Sequence, residues 1–396
     1  MRKGWRITTI GEAARIASGQ VDPKDVVIAS MISVGPDNLP SGGGLDKSSL
    51  KTAQELGQIS GKYAFNSSSI LYSKIRPNLN KVALPDFNGI CSADMYPMWV
   101  ADEQCVDRNF LYYTLVSERF VATASSRSFR TGMPKINRED LESIEFALPP
   151  LLEQRKIAAI LRTWDLGLEK LSALRKAKER LRLWLRTEVV TGKRRLPGFS
   201  GVWRDVTLSD VLTEHGEAST GAEEVYSVSV HKGLVNQIEH LGRSFAAAST
   251  DHYNRVLPGD IVYTKSPTGD FPLGIIKQSR VDHPVIVSPL YGVFTPLRRE
   301  LGIMLEAQFE APLAVSNYLN PLVQKGAKNT IAITNKRFLE GKLHLPLDPN
   351  EQKAIAAILE TSRRELDAID REIAALTRQK RGLMQKLLTG EWQVAP

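Results

Sequence analysis

The sequence predicts a duplicated chain of mixed α/β (α+β) class, in which two globular modules are separated by two long helices that pair as an antiparallel coiled coil. Three observations predict this fold. The 396 residues repeat themselves at an offset of 198 residues. Two segments rich in Ala, Leu, Glu, Lys and Arg carry heptad patterns. Short β-rich runs lie among Gly, Pro and Asn between those segments.

The length and the repeat together divide the chain into four parts. At roughly 100–200 residues per domain, 396 residues suggest two or three domains. We expect a first module at 1–148, a central helical region at 149–198, a second module at 199–345 and a distal helical region at 346–396.

Composition narrows the class of protein. A 42% hydrophobic and 24% charged chain is typical of a globular protein. It has no apolar run of the ~18 residues that a membrane span needs, and its basic start lacks the apolar stretch of a signal peptide. Two cysteines, Cys91 and Cys105, argue against a disulfide framework. We therefore expect a cytoplasmic protein without membrane contact, and its net charge of +8 permits nucleic-acid binding.

The repeat is strongest in the helical segments and weakest in the modules. Residues Glu153–Gly192 match the segment 198 residues later at fourteen of forty positions. Upstream, Trp5 and Arg6 correspond to Trp203 and Arg204. In the middle only Ile70–Lys74 against Ile261–Lys265 survives, at an offset of 191. Similar ends with divergent middles are what one shared partner and two different ligands would produce.

Each helical segment carries apolar residues at alternating steps of four and three. Gln352–Leu388 sustains this pattern for more than four heptads, and the earlier copy has Gly167 and Lys178 as flaws. A proline stretch precedes each segment and a glycine follows it. At 1.5 Å per residue each helix is roughly 55 Å long. One such helix alone would most simply pack on its own domain. Two matched copies favour mutual burial, and a pseudo-twofold repeat makes them antiparallel.

Catalytic signatures are missing from the sequence. It has no Gly-rich dinucleotide or P-loop motif and no [DN]-P-P-[FY] tetrapeptide of amino-methyltransferases. The Asp22-Pro23-Lys24 fragment, of a kind that metal-dependent nucleases use, arises easily by chance. The histidines and cysteines lack metal-site spacing. We therefore predict no catalytic residue, no metal site and no enzyme activity in this chain by itself.

Polar, flexible and basic loops occur in both modules. Such loops supply Lys and Arg for phosphates and guanine edges, Asn for adenine, and Gly where a backbone approaches closely. A single loop of this kind is more often a solvated turn. Similar loops in both halves strengthen the functional interpretation. The candidate DNA-binding residues are Gly43, Lys74, Arg76, Asn78, Lys81, Arg127, Arg130 and Lys135 in the first module, and His231, Lys232, Lys265, Thr268, Lys325, Lys328 and Asn329 in the second.

The order and doubling of these motifs resemble a known family. The helix starts at Pro149–Leu161 and Pro346–Leu359 share a Glu-Gln pair followed by Ile-Ala-Ala-Ile-Leu, and both helices end in Thr-Gly. With the paired Trp-Arg module openings, Ile70–Lys74 and Gly132–Asn137, these features resemble the specificity subunit of Type I restriction-modification enzymes over essentially the whole chain.

The resemblance implies a division of labour among subunits. Each module would be a target-recognition domain for one half of a split, asymmetric sequence in double-stranded DNA. The helices would act as a molecular ruler and dock two modification (methyltransferase) subunits, while two motor-nuclease restriction subunits complete the enzyme. S-adenosylmethionine, ATP and Mg would bind those partners and not this chain. The helix residues predicted to serve partner binding are Ile157, Leu161, Trp164, Leu171, Ile355, Leu359, Leu366 and Ile369.

One alternative from another class stays open at this point. The coiled coil could organise partners as a scaffold or adaptor whose modules bind protein. Phosphate contacts make affinity fall steeply with salt, whereas a mainly apolar protein interface does not, so salt dependence separates the two functions.

Overall fold

The computed structural model describes residues 4–128, 134–241, 250–325 and 331–394. The chain forms two compact units. The first unit comprises Met1–Ser172 and Glu372–Pro396, and the second comprises Ala173–Arg371. Each unit therefore takes its residues from both long helical segments, and each is described by itself below.

The first unit contains two four-stranded sheets and a separate strand pair. Its strands are β1 (Arg6–Thr9), β2 (Ala14–Ile16), β3 (Ile32–Val34), β4 (Lys51–Thr52), β5 (Tyr63–Phe65), β6 (Ile70–Ser73), β7 (Val82–Ala83), β8 (Gly89–Cys91), β9 (Met95–Val100) and β10 (Glu145–Leu148). Its shorter helices are α1 (Ile10–Ala13), α2 (Val26–Ala29), α3 (Arg108–Leu115), α4 (Glu118–Ser126) and α5 (Arg138–Glu142). The sheets have the orders β2-β9-β6-β7 and β4-β3-β8-β5, and β1 pairs with β10.

The long helices α6 (Leu151–Trp184) and α11 (Pro349–Leu388) contribute to both units. The second unit adds the strands β11 (Trp203–Thr207), β12 (Leu212–Glu214), β13 (Tyr226–Ser229), β14 (Gly233–Asn236), β15 (Asn254–Val256), β16 (Ile261–Tyr263), β17 (Ile276–Gln278), β18 (Val285–Val287), β19 (Gly292–Pro296), β20 (Gln324–Lys325), β21 (Ile331–Ala332) and β22 (Lys342–Pro346). Its shorter helices are α7 (Gln237–Leu241), α8 (Arg299–Phe309), α9 (Pro312–Leu319) and α10 (Asn335–Glu340).

The sequence repeat is also a structural repeat. The sheet β12-β19-β16-β17 of the second unit has the same strand order as β2-β9-β6-β7 of the first, and β11 pairs with β22 as β1 pairs with β10. The middle strands β6 and β16 begin at Ile70 and Ile261, the positions that the sequence aligned at an offset of 191. The other sheet diverges: in place of β4-β3-β8-β5, the described part of the second unit has the strand pairs β13-β14 and β15-β18. The predicted mixed α/β duplication is confirmed.

Charged pairs show that the helices run antiparallel within the second unit. In the second unit Arg175 pairs with Asp370, and Lys178 pairs with Glu365 at 2.8 Å. The residue numbers therefore increase along one helix in the direction in which they decrease along the other. In the first unit Lys380 pairs with Asp165. Lys178 weakened the heptad pattern, yet its Nζ lies opposite a carboxylate of the facing helix. Polar pairs of this kind fix the register of a coiled coil.

The repeated Glu-Gln pair at the helix starts has a structural role. Gln154 is fully buried and joins three backbone groups: it accepts from the Asp107 amide and donates to the Cys105 and Pro149 carbonyls, each at 2.8 Å. Glu153 accepts a hydrogen bond from the Trp5 indole at 3.1 Å. These bonds fix the point at which α6 leaves the preceding strand.

The repeated Thr-Gly ends stop the helices in a left-handed residue. Gly192 and Gly390 have φ of +73° and +75°. Each lies against a module-opening tryptophan of its own unit, because a Cβ would come within 2.7 Å of the Trp203 ring at Gly192 and within 3.4 Å of the Trp5 ring at Gly390. Glycine is the residue that adopts this backbone conformation without steric cost.

The helix residues predicted to serve partner binding divide into two groups. Ile157 and Leu161 are fully buried in the main core of the first unit, and Ile355 and Leu359 are 1–2% exposed in the main core of the second. These four side chains stabilise their own unit and have no surface left for another protein. Trp164, Leu171, Leu366 and Ile369 are only half-buried.

Candidate nucleic-acid interface

The first unit gathers several predicted DNA-binding residues at one end of its central sheet. We call Lys74, Arg76, Asn78 and Lys135 the first basic cluster. The chain leaves β6 through Lys74, and the Ile136 amide donates to the Lys74 carbonyl at 2.9 Å. The Arg76 amide donates to the Pro134 carbonyl at 2.8 Å. Two loops far apart in sequence are thus joined, and the side chains of Arg76 and Asn78 are exposed.

The backbone of the first basic cluster is held in an uncommon conformation. Arg76 has a φ of +48°, which non-glycine residues rarely adopt. Asn80 follows with a φ of +52°, and its side-chain amide donates to the Val116 carbonyl at 2.8 Å. A strained arginine that remains solvent-exposed is a feature associated with functional loops.

The surroundings of Lys74 lower the pKa of its side chain. Burial lowers the pKa of Lys74, and the nearby Lys135 lowers it further, while Asp94 acts in the opposite direction. The Lys74 ammonium also lies 5.1 Å from the centroid of the Tyr96 ring. A phosphate oxygen close to Lys74 and Lys135 would relieve their mutual repulsion.

Gly43 lies beside this cluster, but packing within the first unit explains why this residue is a glycine. The Gly42 amide donates to the Leu79 and Asn80 carbonyls at 3.2 Å, which brings the two loops together. Gly43 has a φ of +99°, and a Cβ there would lie 2.7 Å from the Tyr112 hydroxyl. The fold itself therefore requires glycine at this position.

Two further candidates, Lys81 and Arg127, form hydrogen bonds within their own unit. The Lys81 ammonium donates to the Pro36 carbonyl at 2.6 Å. Arg127 donates to the Asp140 carbonyl at 3.0 Å and to the Ser143 hydroxyl at 2.5 Å, which connects the end of α4 to α5. Both side chains hold loops in place as the structure describes them.

The second unit has a related loop at the corresponding strand. Lys265 follows β16 as Lys74 follows β6, and its φ is +59°. Burial lowers the pKa of Lys265, and Glu214 acts in the opposite direction. Thr268 lies further along the same loop and is exposed. The two units therefore present loops of the same origin with different residues.

His231 and Lys232 occupy a separate place. They form the exposed turn between β13 and β14 and line a cleft of the second unit together with Gly269, Asp270 and Phe271. Arg130, Lys328 and Asn329 lie outside the described residues. Lys325 ends β20, and only its backbone is described.

Sequence reasoning missed a group of charged residues in that cleft. Lys277 on β17, Arg280 just after it and Arg363 on α11 line its wall. The signal was present in the repeat: at the offset of 198, Arg186 replaces Met384 and Arg363 replaces Asp165. Both positions are apolar or acidic in one half and basic in the other.

The described parts of the chain offer neither a metal site nor a membrane-spanning helix. Among the described residues, no group of three or more His, Cys, Asp or Glu side chains could hold a metal ion. No helix in the described ranges is long and apolar enough to cross a membrane.

The fold and the loops define a duplicated protein in which two modules on one framework present different basic surfaces. Comparison with known proteins shows which proteins the chain resembles. Residues 3–178 match the Type I restriction modification DNA specificity domain. The chain is 38% identical over 153 residues to the Type I restriction enzyme EcoDI specificity subunit of Escherichia coli, a match that covers 39% of this chain and 33% of that protein. It is 26% identical over 333 residues to the MjaVIII specificity subunit of Methanocaldococcus jannaschii, covering 77% and 75% of the two chains.

Solved structures share the fold over nearly the whole chain. The S subunit of a Type I restriction-modification system from M. genitalium superposes with a TM-score of 0.60 at 18% identity, covering 99% of this chain and 97% of that one. A chain from a structure on complex assembly and conformational transition of the type I R-M system gives a TM-score of 0.57 at 19% identity, covering 99% of both. The first part of the chain thus resembles the DNA specificity domain of Type I restriction-modification enzymes, and the whole chain shares its fold with the solved S-subunit structures. The match to the Escherichia coli relative spans about a third of that protein's length.

Proposed function

We propose that each unit reads one half of a split DNA target, and that the two half-sites differ. The observation that carries this proposal is the pair of loops after β6 and β16. They leave equivalent strands of identically ordered sheets and share a lysine at Lys74 and Lys265, yet at the offset of 191 the first loop has Arg76 and Asn78 where the second has Pro267 and Gly269. An identical framework with different loop chemistry suits two readers of different sequences.

The long helices would set the distance between the half-sites. With 34 and 40 residues, α6 and α11 are roughly 51 and 60 Å long at 1.5 Å per residue. Each exceeds one DNA turn of about 34 Å, so readers held by them would leave unread base pairs between their contacts. A methylated motif without such a spacer would contradict this part of the proposal.

The proposal assigns the chemistry to partner subunits. This chain would be the non-catalytic member, docking two methyltransferase subunits and two motor-nuclease subunits in the cytoplasm. S-adenosylmethionine, ATP and Mg would bind to those partners. Docking would use exposed apolar positions of the helices, such as Leu152 at 72% and Leu166 at 43% exposure, because Ile157 and Leu161 are buried.

The test is methylation sequencing of a host that carries the chain and its partners. We expect one split motif of methylated adenines that disappears when this gene is deleted. In Arg76→Ala, methylation should fall at sequences that depend on one half-site, and in Lys265→Ala at those that depend on the other. A lost base contact costs about 1–3 kcal/mol, or roughly tenfold and more in affinity. Lys51→Ala, on the exposed face of β4, is the matched control and should change nothing.

The outcome that would contradict the proposal is a shared effect. If Arg76→Ala and Lys265→Ala weakened both half-sites equally, the units would not read DNA independently. If binding of DNA by the purified chain were insensitive to salt, the scaffold alternative would be favoured, since phosphate contacts give a steep salt dependence.

A further inference from the structure

The cleft in the second unit has an excess of buried positive charge. It has a volume of about 980 Å³ and lies against β17, α8 and the parts of α6 and α11 that belong to this unit. Its charged side chains with under a third of their surface exposed comprise five cations and two carboxylates. They are Arg182, Arg186, Lys277, Arg280 and Arg363, with Glu306 and Glu310. We call the five cations and their surroundings the basic cleft.

The two carboxylates are already engaged. Glu310 accepts from Arg182 and, at 2.9 Å, from Arg186. Glu306 accepts from Arg280. Neither carboxylate forms an ion pair with Lys277 or with Arg363.

Lys277 and Arg363 retain unused donors. Lys277 is 7% exposed, and within the described residues its ammonium has neither a hydrogen bond nor an ion pair. Arg363 donates to Asp367 at 2.9 Å through one terminal nitrogen, but its buried Nε has no partner among the described residues. Both side chains line the basic cleft. A buried polar group without a partner is costly, and a buried charge more so.

The pKa of Lys277 agrees with this imbalance. Burial lowers it, although Glu306 and Glu310 lie close enough to oppose the change, and Arg280 and Arg182 lower it further. A bound anion would restore the charged form of Lys277.

The duplicated fold does not require these charges. At the offset of 198, Met384 in the first unit corresponds to Arg186, and Asp165 corresponds to Arg363. The first unit instead has a cavity of about 410 Å³ whose lining includes Phe120, Phe146 and Met384. The first unit therefore has an apolar and an acidic residue at these two repeat positions, so the shared fold does not depend on the two arginines.

We propose that the basic cleft binds a phosphate group through Lys277, Arg363 and Arg280. With Asp367 paired to Arg363, the five cations exceed the three carboxylates that they contact by two charges, and one carboxylate ligand would leave one charge uncompensated. A phosphate group carries up to two charges, and its several oxygens can accept from an ammonium and from guanidinium nitrogens together.

Two sources could supply the phosphate. One is the backbone of DNA held by the second unit, for which His231 and Lys232 at the rim would make neighbouring contacts. The other is a free polyphosphate such as a nucleoside triphosphate. The DNA source rests on the proposed function, whereas the phosphate site itself does not.

The first experiment measures the thermal midpoint of the full chain with and without tripolyphosphate and inorganic phosphate. We expect both anions to raise the midpoint of the wild type. Lys277→Met keeps the length of the side chain and removes its charge, so it should raise the midpoint without phosphate and cancel most of the response to it. Lys353→Met removes one charge from the exposed face of α11 and should respond like the wild type.

The second experiment separates the sources by measuring binding of a target duplex. With a DNA source, Lys277→Met should weaken duplex binding about tenfold and reduce the salt slope by about one. Unchanged duplex binding with a lost tripolyphosphate response would assign the cleft to free polyphosphate. A wild type that binds tripolyphosphate but no duplex would refute the proposed function and leave the phosphate site standing.

Two results would overturn the proposal. One is a wild type whose midpoint does not respond to either anion, and the other is an equal response in Lys277→Met and Lys353→Met. If Lys277→Met does not fold, Arg363→Met takes its place, because Arg363 supplies the second unused donor.

Discussion

The two copies of the buried glutamine allow a test within one chain. Gln154 makes three hydrogen bonds to backbone groups, whereas Gln352 makes one, to the Pro346 carbonyl at 2.8 Å, and its Oε1 is buried without a partner among the described residues. A hydrogen bond contributes about 1 kcal/mol net, and a buried group that loses its partner costs about 1–3 kcal/mol. Gln154→Ala should therefore lower the free energy of unfolding by about 3 kcal/mol or more, and Gln352→Ala by about 1 kcal/mol.

The assay is urea unfolding of both variants, with hydrogen exchange read by mass spectrometry to locate the effect. Exchange should accelerate around Asp107 in Gln154→Ala, because its amide loses the side-chain acceptor. Both substitutions remove the same atoms from equivalent helix starts, so side-chain size and helix propensity cancel. Equal costs for the two variants, or a larger cost at Gln352, would refute the reasoning that these hydrogen bonds determine the difference.

Two further predictions concern the helix ends and the ion pairs of the second unit. Gly192→Ala should cost more stability than Gly390→Ala: both positions have positive φ, but a new Cβ would lie 2.7 Å from a tryptophan ring at the first and 3.4 Å at the second, and overpacking costs about 1–3 kcal/mol. Equal losses in chemical unfolding would show that the close contact is easily relieved. Burial alone would raise the pKa of Glu310, but Arg182 and Arg186 outweigh it and lower the pKa below its usual 4.5. A lowered folded pKa gives stability that is present above the unfolded value and lost as the pH falls through the folded one. Thermal midpoints between pH 3 and 7 should therefore fall more steeply in the wild type than in Glu310→Gln, and parallel curves would contradict this assignment.

Sequence periodicity predicted the parts of the fold in which the two halves share one environment. The helix seams, the Trp-Arg strands and the Thr-Gly ends are repeated because the same contacts are made twice, as the packing of Gly192 on Trp203 and of Gly390 on Trp5 shows. Even the shifted match of Ile70 with Ile261 located equivalent strands. Strand order was beyond the sequence, because the strands have only two to six residues and pair with distant segments.

The candidate site was harder to predict because residue type does not reveal what a side chain already contacts. Lys81 and Arg127 have the composition of DNA-contacting residues, yet both hold loops of their own unit through backbone carbonyls. A glycine such as Gly43 suggested a backbone that DNA could approach closely, but the group that lies close to it is the Tyr112 side chain. Lys277 stands between Ile276 and Gln278 in a β-strand, and only the folded structure shows that this side chain is 7% exposed and that its ammonium has no partner among the described residues.

The duplication explains how the loops of the two units can diverge while both units keep the same long helices. Each helix belongs to both units, and its ends are fixed by repeated contacts at Gln154 and Gln352 and at the two terminal glycines. Substitutions in the loops after β6 and β16 leave those contacts intact, because the loops are joined to their own unit by local backbone bonds. Under the proposed function, a change of recognition sequence in one unit can therefore occur without loss of the shared helices. The basic cleft extends this reasoning from the loops to a unit's interior, since Arg186 and Arg363 occupy repeat positions where the other half has methionine and aspartate.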